Sequence, residues 1–178
     1  MSAGGERLDA GMDLSLGGEF ALAAYVFLLV MAGVSDLCSL RIPNWLTASL
    51  AAAFPPLAWL FGHHVDWWSH LAAGSAVFAA AAVLFAFRLM GGGDVKLLAA
   101  VALWTGLGRL LPFLALTAMI GGVFALGALA LRSHVVQVAL LAILRQLPAV
   151  AQEKAKIPYG VPIAAAGILM LPTFSFLG

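Results

Sequence analysis

Charge is what this chain has least of. Only 10% of its 178 residues are charged against 63% hydrophobic, and mean hydropathy is +1.06. So little polar surface cannot clothe a soluble globule, and the apolar runs reach membrane-spanning length. A net charge of +1 leaves no basic stripe to neutralise phosphates, which argues against an electrostatic nucleic-acid binder. Cysteine is equally scarce. Cys38 stands alone, so neither an internal disulfide nor a four-cysteine zinc site shapes the fold. The start of the chain is poor in basic residues too. Met1 to Glu19 holds Glu6, Asp9, Asp13 and Glu19 against Arg7, whereas a secretory signal opens with a basic region. Residues 1–19 read as a flexible acidic tail and 20–178 as one membrane domain, with no internal repeat and no second soluble domain.

The apolar runs predict an all-α, polytopic membrane protein of about six transmembrane helices. They are Phe20 to Ser35, Trp45 to Phe61 with Pro55-Pro56 inside it, Leu71 to Met90, Val95 to Gly106, Leu110 to Leu131, and Ile157 to Phe176. The fourth is about 18 Å long, less than the ~30 Å hydrocarbon core. Gly106-Leu107-Gly108-Arg109 reads as a tight turn. In an alternative arrangement, residues 95–131 form one tilted span and a re-entrant piece. Val135 to Leu147 has helical apolar spacing suited to the membrane interface. His63, His64 and His70 lie by Trp67-Trp68 with Asp66 as the one acid, which suits an interfacial turn rather than a metal site.

Under six spans, one side receives Arg41, Arg88, Lys96, Arg132, Arg145, Lys154 and Lys156, and the other only Arg7 and Arg109. The positive-inside rule makes the first side cytoplasmic and puts the N-terminus outside. Of the eight acids, four lie in the tail, Asp66 is in the outer turn, and Glu153 sits among lysines. Asp36 and Asp94 remain, both at membrane boundaries on the cytoplasmic side. Acids in such places are functional candidates by default. Asp94 follows Gly91-Gly92-Gly93, where missing Cβ atoms let another backbone approach. It could also cap a helix starting at Val95.

Two close carboxylates cannot both ionise easily, so the pair offers a base and an acid together. That suits an aspartic peptidase, with a substrate backbone reaching the pair past the glycines, by adding as a strand to the loop. It suits a proton- or cation-coupled transporter equally well. Spacing alone does not separate these. A structural subunit of a secretion machine is a third reading, in which both aspartates could be replaced freely.

Asp36 with Arg41-Ile42-Pro43-Asn44, then Gly91-x-Gly93-Asp94-Val95-Lys96, then Lys156-x-Pro158-Tyr159-Gly160 with Pro162, together resemble the type IV prepilin peptidases. Their order and topological places are those the family uses. Its catalytic motif is similar to that of preflagellin peptidases and, more remotely, of presenilin and signal peptide peptidase. The resemblance implies an intramembrane aspartic endopeptidase in the cytoplasmic (inner) membrane. It would cut the leader of a prepilin-like precursor, a basic leader followed by a hydrophobic helix, at the cytoplasmic face. Asp36 and Asp94 match the catalytic aspartates, and no metal or other cofactor is implied. Larger members carry an insertion with two Cys-x-x-Cys pairs, linked to N-methylation of the product. Here eight residues separate Asp36 from Trp45, which resembles the short form serving Flp-type (tight-adherence) pili.

The neighbouring residues carry more than one reading. Lys96 could contact substrate, hold a dyad carboxylate or snorkel to lipid headgroups, and Arg41 shares that ambiguity. Asn44 suits a cap for the second span. Pro158-Tyr159-Gly160 would shape the approach of the last span, with Tyr159 a hydrogen-bond donor or an interfacial anchor. Gly91, Gly93, Lys96, Arg41, Asn44, Pro158, Tyr159 and Gly160 are therefore the candidate shaping residues around the two aspartates.

Overall fold

The computed structural model describes residues 3–61, 65–131 and 158–171. They form α1 (Ala3–Ser39), α2 (Asn44–Phe61), α3 (Trp67–Ala86), α4 (Gly92–Thr105), α5 (Leu107–Leu131) and α6 (Gly160–Leu169). No strand occurs among the described residues. Three segments are long and apolar enough to cross a membrane: Glu19–Ser39, Trp67–Ala86 and Leu107–Ala130. Together with the outward-facing Phe27, Val30, Phe78, Leu84, Leu126 and Leu129, they mark an integral membrane protein.

The short helix stands at the centre. α4 packs against α2, α3, α5 and α6, and it buries Val95, Leu97, Leu98, Ala100, Val101, Ala102, Trp104 and Thr105. A helix apolar all round is a buried one. Its 14 residues amount to about 21 Å, and its surroundings are other helices. α1 packs on α2 and α6, and α5 packs on α6 and α3.

An aromatic cluster binds the centre to its neighbours. Trp104 Nε1 donates to the Leu50 carbonyl at 2.8 Å. Its ring meets Tyr25 at 4.7 Å and Phe54 at 5.5 Å between centroids, spacings at which tilted aromatic pairs attract. Tyr25 Oη reaches the Gly167 carbonyl at 3.4 Å, so α1, α2, α4 and α6 share this cluster. At the end away from the aspartates, α3 and α4 are tied by His70 Nδ1 and the Leu103 carbonyl, 2.7 Å apart. There Ser69 Oγ also accepts from the Leu107 N–H at 2.9 Å.

Several expected boundaries move. α1 begins at Ala3, inside the stretch read as a tail. That stretch holds no proline, and once a span is helical each added residue gains a backbone bond. α3 occupies 67–86 rather than 71–90. Asp66 caps its start by accepting from the Ser69 N–H at 3.3 Å. Its end closes early, as Leu89 N bonds Leu84 O and Arg88 N bonds Phe85 O around a left-handed Arg88 (φ +60). The expected turn at 106–109 shrinks to Gly106 (φ +69), so Gly108 and Arg109 belong to α5. Residues 95–131 form two helices parted at Gly106, and the second is the one of spanning length. The interfacial helix at 135–147, His63 and His64, the cations Arg132, Arg145, Lys154 and Lys156, Glu153, and the end of the last span lie outside the described residues.

Candidate functional site

At one end of the bundle converge the close of α1, the start of α4 and the start of α6. Asp36 lies in the last turn of α1. That helix ends through a left-handed Leu40 (φ +52), with the Leu40 N–H donating to the Asp36 carbonyl at 2.9 Å. Ser35 Oγ and Ser39 Oγ both donate to the Arg41 carbonyl, at 2.9 and 3.2 Å, and hold the turn. The Asp36 carboxylate finds its donors on another helix. Its Oδ2 accepts from the Gly160 N–H at 2.6 Å, and the Val161 N–H donates as well. The first N–H groups of a helix have no partner within it, and Tyr159, at the cap position of α6, makes no side-chain cap bond. Asp36 supplies that cap from 124 residues away and is 5% exposed.

The glycine run is a helix start rather than a loop. Gly91 is extended (φ −74, ψ 144) and is the cap residue of α4, while Gly92 and Gly93 are already helical. Asp94 is therefore not the cap of a helix beginning at Val95. It is the third residue of the helix, in the first turn, and its carboxylate accepts the Gly91 N–H. A carboxylate is favoured there by the unpaired N–H groups and the helix dipole. Only Gly91 is extended, which leaves little of the run free to pair with an added strand.

Asp94 lies outside the three long apolar segments and is half-buried. Its carboxyl is pushed up to about 6, first by burial and then by the nearby Asp36 charge, against the opposing hydrogen bond from Gly91. Both aspartates line one cavity of about 1030 Å³, together with Arg41, Ile42, Phe85, Arg88, Gly91, Gly93 and Tyr159.

Two of the expected residues point elsewhere. Lys96 Nζ donates to Asn44 Oδ1 at 2.8 Å rather than to Asp36 or Asp94, and the Asn44 side-chain oxygen is taken by a lysine. Both line a separate groove of about 640 Å³ between α2, α3 and α4. Pro158 is buried just before α6, and Tyr159 is 39% exposed at the cavity wall. Lys156 lies outside the described residues. Among the described residues, no three His, Cys, Asp or Glu side chains gather as a metal site would need.

Ile42 also lines the cavity of the two aspartates, and the sequence did not single it out. It is buried between Gly93 and Gly160, and an aliphatic residue in an apolar chain carries no signal of its own. Its place between two motif residues was the one available clue.

Residues 22–126 match the family model described as the type IV leader peptidase family, which is more than half of the chain. The chain belongs to the type IV leader peptidase family. The matched stretch runs from α1 to α5 and contains both cavity aspartates. Two curated proteins, both named prepilin leader peptidase/N-methyltransferase, are similar to it. They come from Aeromonas salmonicida, one of them from strain A449, and are 29% identical over 173 residues. The alignment covers 86% of this chain and 49% of each relative, so the chain spans about half the length of the curated relatives it matches. No solved structure matches this leader peptidase family member.

Proposed function

We propose that the protein is an aspartic endopeptidase of the leader peptidase family that removes the leader of a type IV prepilin-like precursor. The observation that carries this is the convergence of Asp36 and Asp94, from different helices, on one cavity at one end of the bundle. Asp36, whose carboxylate accepts the Gly160 N–H, serves as the base, and Asp94, whose carboxyl is pushed up to about 6, serves as the acid. Asp36 takes a proton from water as the water oxygen bonds to the scissile carbonyl carbon, and Asp94 gives its proton to the carbonyl oxygen as that carbon becomes tetrahedral. As the C–N bond breaks, the proton on Asp36 passes to the leaving nitrogen, and one hydroxyl of the tetrahedral carbon returns a proton to Asp94 as the carbonyl re-forms. The products are a leader carboxylate and a new amino terminus. Arg41 and Arg88 flank the cavity and suit a polar segment entering from the water.

The membrane in this reading is the bacterial cytoplasmic (inner) membrane, with the cavity facing the cytoplasm and the N-terminus outside. The seven-to-two distribution of lysine and arginine supports that orientation. The precursor is of Flp type, with a basic leader and a hydrophobic helix. The short segment between α1 and α2, which holds no cysteine, supports leader removal without N-methylation.

The test is cleavage by purified full-length protein in detergent of an Flp-type precursor, followed by mass spectrometry. The expected result is two fragments whose masses sum to the precursor plus one water. If several such precursors stay intact under conditions where the protein is folded, the peptidase reading fails and a coupled transporter using the same carboxylates replaces it.

A further inference from the structure

Two helix starts, those of α4 and α6, carry the site. Ile42, 8% exposed, stands between them. A methyl placed on Gly93, the residue before Asp94, would lie 3.1 Å from Ile42 Cβ. A methyl placed on Gly160, whose N–H holds Asp36, would lie 2.7 Å from Ile42 Cδ1. The absence of Cβ at both glycines is what lets one side chain press against both backbones. Isoleucine is branched at Cβ and stiff about χ1, and packed interiors do not yield freely. It is therefore a firm spacer.

This inference rests on the peptidase reading. We propose that Ile42 is a positioning residue for leader cleavage, a wedge between Gly93 and Gly160 that sets the separation of the Asp36 and Asp94 carboxylates. Ile42→Val removes the methyl that faces Gly160 and leaves the Gly93 side filled. Asp36, bonded to the Gly160 N–H, then shifts with α6 toward Asp94. Interaction between charges rises as they approach, so the pair couples more strongly. The other titratable and charged groups lining the cavity, Arg41, Arg88 and Tyr159, are unchanged in these variants.

The experiment is the pH profile of kcat/KM for leader cleavage by full-length Ile42→Val, Ile42→Ala and Ile42→Leu. Stronger coupling moves the two limbs of the profile apart. The expected shift of the alkaline limb is upward by about half a pH unit or more in Ile42→Ala and less in Ile42→Val, with Ile42→Leu near wild type. A merely structural role lowers the rate by one factor at every pH and leaves the limbs in place, and that result overturns the proposal. If Ile42→Ala does not fold, Ile42→Val against wild type decides it. The carboxyl infrared band, titrated without substrate in wild type and Ile42→Val, reads the same coupling. Its limbs move if the spacer exists and stay if it does not, so failure of the spacer and failure of the peptidase reading are told apart.

Discussion

Asp36 and Asp94 are alike in chemistry and unlike in placement. Asp94 sits at the start of its own helix, whereas Asp36 closes one helix and caps another. The pH dependence of cleavage follows from Asp94. A general acid must hold its proton, and a carboxyl pushed up to about 6 loses it as pH rises through that value. The rate is therefore expected to fall on the alkaline side, with an apparent pKa at or above about 6 belonging to the pair. A pH–rate profile flat from acid to neutral would contradict this. Both aspartates were legible in the sequence because acids are so few in an apolar chain that sorting them by position left two. The Lys96–Asn44 bond was not, since the partners lie 52 residues apart and each had a local role on offer. Ile42 was invisible for the opposite reason, being one apolar residue among many.

At the scale of the element, the α6 N-terminus is the sensitive joint. Alanine at Gly160 would put a methyl 2.8 Å from Asp36 Oδ2 and 2.7 Å from Ile42 Cδ1. Overpacking of this kind costs about 1–3 kcal/mol, and displacing a catalytic group by an ångström costs about 10²-fold in rate. Gly160→Ala is expected to lower both melting temperature and leader cleavage. On α5, Gly122 has nothing within 4 Å of an added Cβ. Gly122→Ala should leave cleavage unchanged and gain up to about 1 kcal/mol from helix propensity. Thermal melts and cleavage rates of the two variants side by side check the contrast. Helix existence was legible from apolar run length, which is why α2 was placed within a residue. Helix starts were less so, because a glycine run reads as a loop until tertiary contacts draw Gly92 and Gly93 into the first turn of α4.

For the whole molecule, the all-helical membrane class was legible from composition, whereas the arrangement was not. Nothing in the periodicity of α4 announces a central helix with neighbours on all sides, yet its shortness was the clue that lipid is not its main surrounding. Orientation is testable with the chain's one thiol, because Cys38 is exposed in the last turn of α1 beside Asp36. In sealed cells and inverted vesicles, an impermeant maleimide should label Cys38 only when the cytoplasmic face is accessible. Labelling from outside would reverse the assignment of sides. The central claim is that two aspartates brought to one cavity share the acid and base roles of a leader peptidase. The most direct measurement is cleavage of a prepilin-like precursor by wild type, Asp36→Asn and Asp94→Asn, each purified and shown to be folded, with products read by mass. Wild type is expected to release the leader, and each isosteric variant to lose at least about 10²-fold in rate. A folded variant of either aspartate that cleaves at the wild-type rate would contradict the two-aspartate account.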